Sequence, residues 1–229
     1  MLEARKKISK KEMKEDKLVT TYYKIQNLFL ENQARILIGV GVVAVLVVAI
    51  ILYSNKRAGN NQSAATMLAK VMPLYDESNY KEAIDGVPAA HIDGLKKIVS
   101  EYGSTEQGET AKIYLANAYA FTNNNDAAFE MYNDYSGSNM LFKATALAGK
   151  AGILESKKEY EKAADLYIDA SKVTKSNPSN AEYIVKAGIA YLKAGNKEEA
   201  KNAFDTVKKD YKNMAYMFEL DKYLSQIEE

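Results

Sequence analysis

The sequence predicts an all-α protein: a single N-terminal transmembrane helix followed by an α-solenoid of helical hairpins with a C-terminal capping helix. Three observations carry this. Residues 36–53 (ILIGVGVVAVLVVAIILY) contain neither a charge nor a side-chain amide. Downstream, Ala128, Ala163 and Ala200 recur at spacings of 35 and 37 inside similar two-helix patterns. The chain of 229 residues holds only three prolines and is rich in Ala, Lys and Glu, a helix-forming composition. The mean hydropathy of −0.34 describes the downstream part and conceals the apolar segment.

Residues 1–35 form a basic tail with nine Lys/Arg and five Asp/Glu, net +4. Residues 5–17 are densely charged and expected to fray. From Leu18 an amphipathic stripe begins: Leu18, Tyr22, Ile25 and Phe29 follow i, i+4, i+7, i+11. Two readings fit: an amphipathic juxtamembrane helix on the inner leaflet or a membrane partner, or an N-terminal extension of the membrane helix. The basic residues before it suit anionic membrane lipid.

Eighteen residues at 36–53 span about 27 Å as a helix, near the hydrocarbon thickness. A core helix of this length would show a polar face. A cleaved signal peptide would need a far shorter leader than 35 residues and a small-x-small site, and SNKRAGNN follows instead. The segment holds no ionisable group for a proton or ion path, and Gly39 and Gly41 lack GxxxG spacing. Residues 58–229 carry twenty Lys/Arg and twenty-five Asp/Glu, net −5. The basic tail is therefore expected inside and the acidic part outside. Lys56 and Arg57, on the outer flank, oppose that orientation.

After a linker at 54–61, residues 62–229 read as repeats: a degenerate one at 62–108, then about 109–143, 144–180 and 181–212, and a cap at 213–229. Ala116, Ala151 and Gly188 each lie twelve residues before Ala128, Ala163 and Ala200, and Tyr132, Tyr167 and Phe204 follow four residues later. Small residues let antiparallel helices approach, and the aromatic fills the gap to a neighbour. Tyr119, Leu154 and Tyr191 share the large position before each turn, and Gly195-Asn196 suits a left-handed exit. This resembles the tetratricopeptide repeat. In the degenerate copy, 79–83 (NYKEA) parallels 159–163 (EYEKA), Pro73 kinks or ends the first helix, and 86–94 with Pro88 and His91 form an inserted loop. Met217, Leu220, Leu224 and Ile227 stripe the cap opposite Asp221, Lys222, Ser225 and Glu228.

Catalytic chemistry finds little footing. Cysteine is absent, so disulfides, thiolate metal sites and a lipid anchor on cysteine are excluded. His91 is the only histidine, in a loop near Asp93, which leaves no His-rich metal cluster. No GxSxG, P-loop or HExxH motif occurs. No catalytic residue, cofactor or metal is expected. The net charge of +1 gives no electrostatic case for nucleic acid. Asn61-Gln62-Ser63 matches a weak glycosylation sequon. The expected activity is protein binding on the concave face of the first helices. Repeat positions place Thr110, Ile113, Tyr114 and Asn117 there from one unit, and Glu182, Val185, Lys186 and Ile189 from another. The set is largely apolar and lacks a paired Lys/Arg clamp for carboxylates, which suits an extended or apolar client.

The basic tail, the entry FLENQ at 29–33, the single span, the degenerate first repeat and the segment IVSEYGSTEQGETAKIYLANAY at 98–119 together resemble the YfgM family of bacterial envelope proteins. The resemblance covers most of 25–229. It implies a single-pass inner-membrane protein, N-terminus cytoplasmic and C-terminal domain periplasmic. It also implies an ancillary role at the Sec translocon, with SecYEG and a PpiD-like periplasmic chaperone as partners and exported proteins as clients. A scaffold subunit of another envelope complex, and a cytoplasm-facing receptor of opposite topology, compete with it.

Overall fold

The computed structural model describes residues 10–211 and 217–228, with the side chains of 19–211 and 220–227. The start of the basic tail with Lys6 and Lys7, residues 213–216 of the cap, and the side chains of Leu18, Met217 and Glu228 lie outside the described residues. The chain divides into two compact units, Met1–Lys56 and Arg57–Glu229.

Helix α1 (Lys10–Asp76) supplies the described part of the first unit and opens the second. It is the one helix among the described residues long and apolar enough to cross a membrane, and its most apolar stretch is wholly uncovered. From Leu37 to Tyr53 its large apolar side chains are exposed. A soluble core helix would bury them. Residues 54–61, expected as a linker, are helical. They contain neither proline nor a β-branched run to stop the helix.

The second unit is a series of helix pairs: the end of α1 shares a core with α2 (Tyr80–Asp85), α3 (Leu95–Tyr102) and α4 (Glu106–Phe121), with α2 packing more on α4 than on α3, while α4 pairs with α5 (Asn125–Asn133), α6 (Met140–Ser156) with α7 (Tyr160–Lys172), and α8 (Asn180–Ala194) with α9 (Lys197–Asp210). Helix α10 (Met217–Glu228) follows. The only strands among the described residues, β1 (Gly86–Val87) and β2 (Ile92–Asp93), pair antiparallel around a 3-10 turn at Pro88–Ala90. This ribbon fills the expected loop between α2 and α3. Helix α1 runs one turn past Pro73 before ending at Asp76, because the Pro ring removes only one donor near a terminus.

The turn inside each pair is the same turn four times. Ser78, Asn123, Lys158 and Gly195 have φ between 60° and 83°, in the left-handed region. Each stands five residues before Ala83, Ala128, Ala163 and Ala200. The next amide reaches back across the turn: Asn79 to Leu74, Asn124 to Tyr119, Glu159 to Leu154 and Asn196 to Tyr191, all at 2.8–2.9 Å. This is the six-to-one bond of a Schellman C-cap. It explains why 74, 119, 154 and 191 share a register. Three of the four pivots are not glycine, and a side chain at positive φ costs about 1–2 kcal/mol. Replacing Lys158 with Gly should therefore stabilise the unit by about 0.5–1 kcal/mol after the unfolded-state entropy is counted. Thermal melts of K158G against G195A, which should shift the opposite way, check this.

The small-residue spacing is a packing fact. Ala116, Ala151, Ala128, Ala163 and Ala200 are fully buried. Tyr132, Tyr167 and Phe204 are buried beside them, with Tyr132 of α5 against Gly149 of α6 and Phe204 of α9 against Gly188 of α8. Leu220 is buried, and Leu224 and Ile227 pack on the cluster of α7, α8 and α9 while Asp221, Lys222 and Ser225 stay exposed. Helix α10 covers the last pair, with Tyr223 stacked on Phe204 at 5.5 Å.

Two side chains of α1 hold the start of α4. Asn61 accepts the Gln107 amide at 2.8 Å, and Arg57 donates to the Ser104 carbonyl at 3.1 Å. The sequon asparagine is thus a helix cap. At the same end of the second pair, Glu109 lies buried in α4 and accepts from the Ser136 amide (2.9 Å), the Ser136 hydroxyl (2.7 Å) and Lys112 (2.9 Å). Burial alone would raise its pKa, but the Ser136 and Lys112 bonds together hold it below the usual carboxylate range. A depressed folded pKa adds stability above the unfolded value, and that stability is lost as pH falls through the folded one. Glu109→Gln should cost about 2–3 kcal/mol at pH 7 and much less at pH 3. Urea denaturation at both pH values reads this; equal losses would contradict it.

Candidate protein-binding face

The first helices of successive pairs are the end of α1, then α4, α6 and α8. Of the eight residues assigned to their exposed face, six are at least partly exposed and two are buried. Ile113 is 1% exposed and packs among Ala128, Tyr132, Ala146 and Ile153. Val185 is 4% exposed within the cluster of α7, α8 and α9. Both are core residues, which corrects their assignment as contact residues. A first helix that packs against its own partner and the next pair buries more than half its circumference, so apolar positions beside Tyr114 and Lys186 turn inward.

Thr110, Tyr114 and Asn117 are half-buried on α4. Tyr114 sits between two rings from adjacent pairs: Tyr75 of α1 at 5.1 Å and Phe142 of α6 at 6.3 Å, both edge-on. The row continues from Phe142 to Tyr135 at 6.5 Å. Asn117 is its polar centre. Its Oδ1 accepts the Tyr132 hydroxyl at 2.5 Å, and it lies near enough to Tyr75 to influence that hydroxyl. Burial raises the Tyr75 and Tyr132 pKa values, more than Asn117 lowers that of Tyr75. Both therefore stay neutral hydroxyls at physiological pH. Tyr75 and Phe142 escape the expectation because they come from neighbouring pairs. The signal for Tyr75 was in the sequence: it follows Leu74, the large residue of the first turn.

On α8 the arrangement differs. Glu182 and Lys186 form an i,i+4 ion pair at 2.7 Å, near half exposed, and Lys186 also stands 6.0 Å over the Tyr167 ring. Ile189 is half-buried against the last core cluster. The pair neutralises itself, so this end offers no net charge to a ligand.

A second groove, of about 840 Å³, lies between α7 and α9 over α8. Ile184 and Tyr191 form part of its floor, with Asp165, Asp169, Lys172 and Glu199 around it. The Tyr191 hydroxyl donates to Asp165 at 2.6 Å. Burial, then that carboxylate, raises the Tyr191 pKa. The sequence pattern gave no reason to look there, since it is built from second-helix surfaces. His91 lies on the exposed ribbon, at the left-handed residue after the 3-10 turn. Among the described residues, no group of three or more His, Asp or Glu is placed to hold a metal ion.

No family model matches the chain, and no curated protein matches it.

Proposed function

We propose that this chain is a non-catalytic, membrane-anchored protein–protein interaction module of the bacterial envelope, built as a tetratricopeptide-like solenoid on one transmembrane helix. The observation that carries the reading is the uncharged row Tyr75–Tyr114–Phe142 with Asn117 at its centre. Aromatic rings give contact area at low entropy cost, and an amide in reach of a client backbone can donate and accept at once. An extended, apolar segment of a protein without fixed tertiary structure suits such a row. With the resemblance to the YfgM family, the specific form is an ancillary translocon subunit beside SecYEG and a PpiD-like chaperone, assisting handover of exported proteins. The tail would lie in the cytoplasm and the second unit in the periplasm. Arg57 supports this orientation, because its bond to Ser104 gives a positive residue on the outer flank a structural task.

Affinity purification of the full chain in mild detergent, followed by mass spectrometry, tests it. Translocon subunits and exported proteins should be enriched. Their absence from a purification that returns another envelope complex would instead support the scaffold role. The face is tested by Tyr114→Ala with Asn117→Ala, which should cut client recovery about tenfold, the effect of losing roughly 1.4 kcal/mol. Recovery unchanged from a folded double variant would remove this face as the site.

A further inference from the structure

We propose that residues 18–35 of α1 form a parallel, in-register two-helix coiled coil with a second copy of this chain. This goes beyond the binding role and rests on the anchored reading in one respect: copies inserted in the same direction can only pair in parallel.

The helix leaves this segment uncovered. Tyr22, Ile25, Phe29 and Leu28 are 49–65% exposed. The spacing of the stripe selects the occupant. Leu18, Tyr22, Ile25, Phe29 and Asn32 alternate steps of four and three, a 3.5-residue period. The same register continues through Ile36, Gly39, Val43, Leu46, Ile50 and Tyr53, so one seam runs about 54 Å from tail to outer flank. Within the span every residue is apolar, so the register is informative over 18–32. There it sorts the charges. Lys17, Lys24 and Glu31 share one heptad position on the outer side, away from the seam. The positions that face each other across a parallel seam are Thr21 with Gln26 and Leu28 with Gln33, so no like charges meet. Val19 and Leu28 flank the seam and widen it; Tyr23 and Leu30 remain outside. Asn32 is the one side-chain amide on the seam between Leu18 and Tyr53, and pairing in register lets it meet its own counterpart rather than an apolar side chain. At Gly39 nothing stands within 4 Å of a built Cβ, which leaves room for close approach inside the membrane.

A lipid surface is the rival occupant for an amphipathic helix. Lying flat on a leaflet requires a sharp bend where the span begins. Neither proline nor glycine occurs from Lys10 to Ile38, and α1 is one helix across that junction. Kinks have such causes, and here there are none.

The chain has no cysteine, so single introduced thiols report alone. Ile25→Cys and Asn32→Cys lie on the seam; Lys24→Cys and Glu31→Cys lie outside it. Each full-length variant is oxidised in isolated membranes and run on non-reducing gels. Carbonate extraction of the same membranes reports separately on anchoring. Seam variants should form at least fivefold more covalent dimer than outer ones, and two differently tagged copies of the unaltered chain should co-purify. Equal yields at all four positions would overturn the proposal. So would seam thiols shielded from a soluble maleimide yet unable to cross-link, the signature of lipid burial. Absence of both cross-links and co-purification from anchored protein would overturn it as well.

Discussion

Replacing Phe204 with alanine should cost about 3–5 kcal/mol, the largest loss expected from any single truncation in the second unit. Among the described residues, Phe204 is the largest side chain with no exposed surface. Three helices meet at its ring: α9 carries it, Gly188 of α8 lies beneath it, and Tyr223 of α10 stacks over it at 5.5 Å. Truncation leaves a cavity that neither a helix backbone nor a stacked phenol can refill cheaply. For a unit of this size the loss corresponds to a fall in Tm of roughly 6–20 °C. The reciprocal change, Gly188→Val, places methyl groups where the ring sits and should cost about 1–3 kcal/mol by overpacking. Thermal unfolding followed by circular dichroism at 222 nm reads both. A loss under about 1 kcal/mol for F204A would mean that the last pair and its cap do not share this core.

Deleting residues 36–53 should move the chain entirely from the membrane pellet to the supernatant after alkaline carbonate extraction. The segment holds thirteen Leu, Ile or Val residues, each worth about 0.3–0.6 kcal/mol on insertion, about 4–8 kcal/mol in sum. No protein surface competes for these side chains, since none of the stretch is buried. The deleted protein should retain the thermal transition of the second unit, whose core contains no residue of 36–53. A pellet that still holds the deleted chain would mean that the tail stripe or the helix pairs carry the membrane affinity instead.

The helical fold was legible because its periodic signals are strong. Eighteen uncharged residues admit few alternatives, and alanines at 128, 163 and 200 mark positions where nothing larger fits. Gly195 announced its left-handed turn; Ser78 and Lys158 did not, because a residue with a side chain carries no compositional mark of positive φ. The ribbon at 86–93 escaped for another reason. Two residues per strand are too few to show alternation. The face was legible only in part. A stripe argument places a residue on a helix but cannot say how far the next pair wraps around it, so Ile113 and Val185 came out on the wrong side of the boundary. Tyr75 and Phe142 meet Tyr114 from helices on either side, 39 residues before it and 28 after it, a contact that spacing within one repeat cannot express.

The proposed function requires an anchored chain whose helix pairs face the compartment opposite its basic tail. Glu31 and Ser100 are both exposed, one before and one after residues 36–53 in the chain, and the absence of cysteine makes E31C and S100C unique reporters. Right-side-out membrane vesicles carrying each variant are treated with a membrane-impermeant maleimide before and after permeabilisation. The account predicts that S100C is labelled at once and E31C only after permeabilisation. Immediate labelling of E31C with protection of S100C, or equal labelling of both, would contradict it.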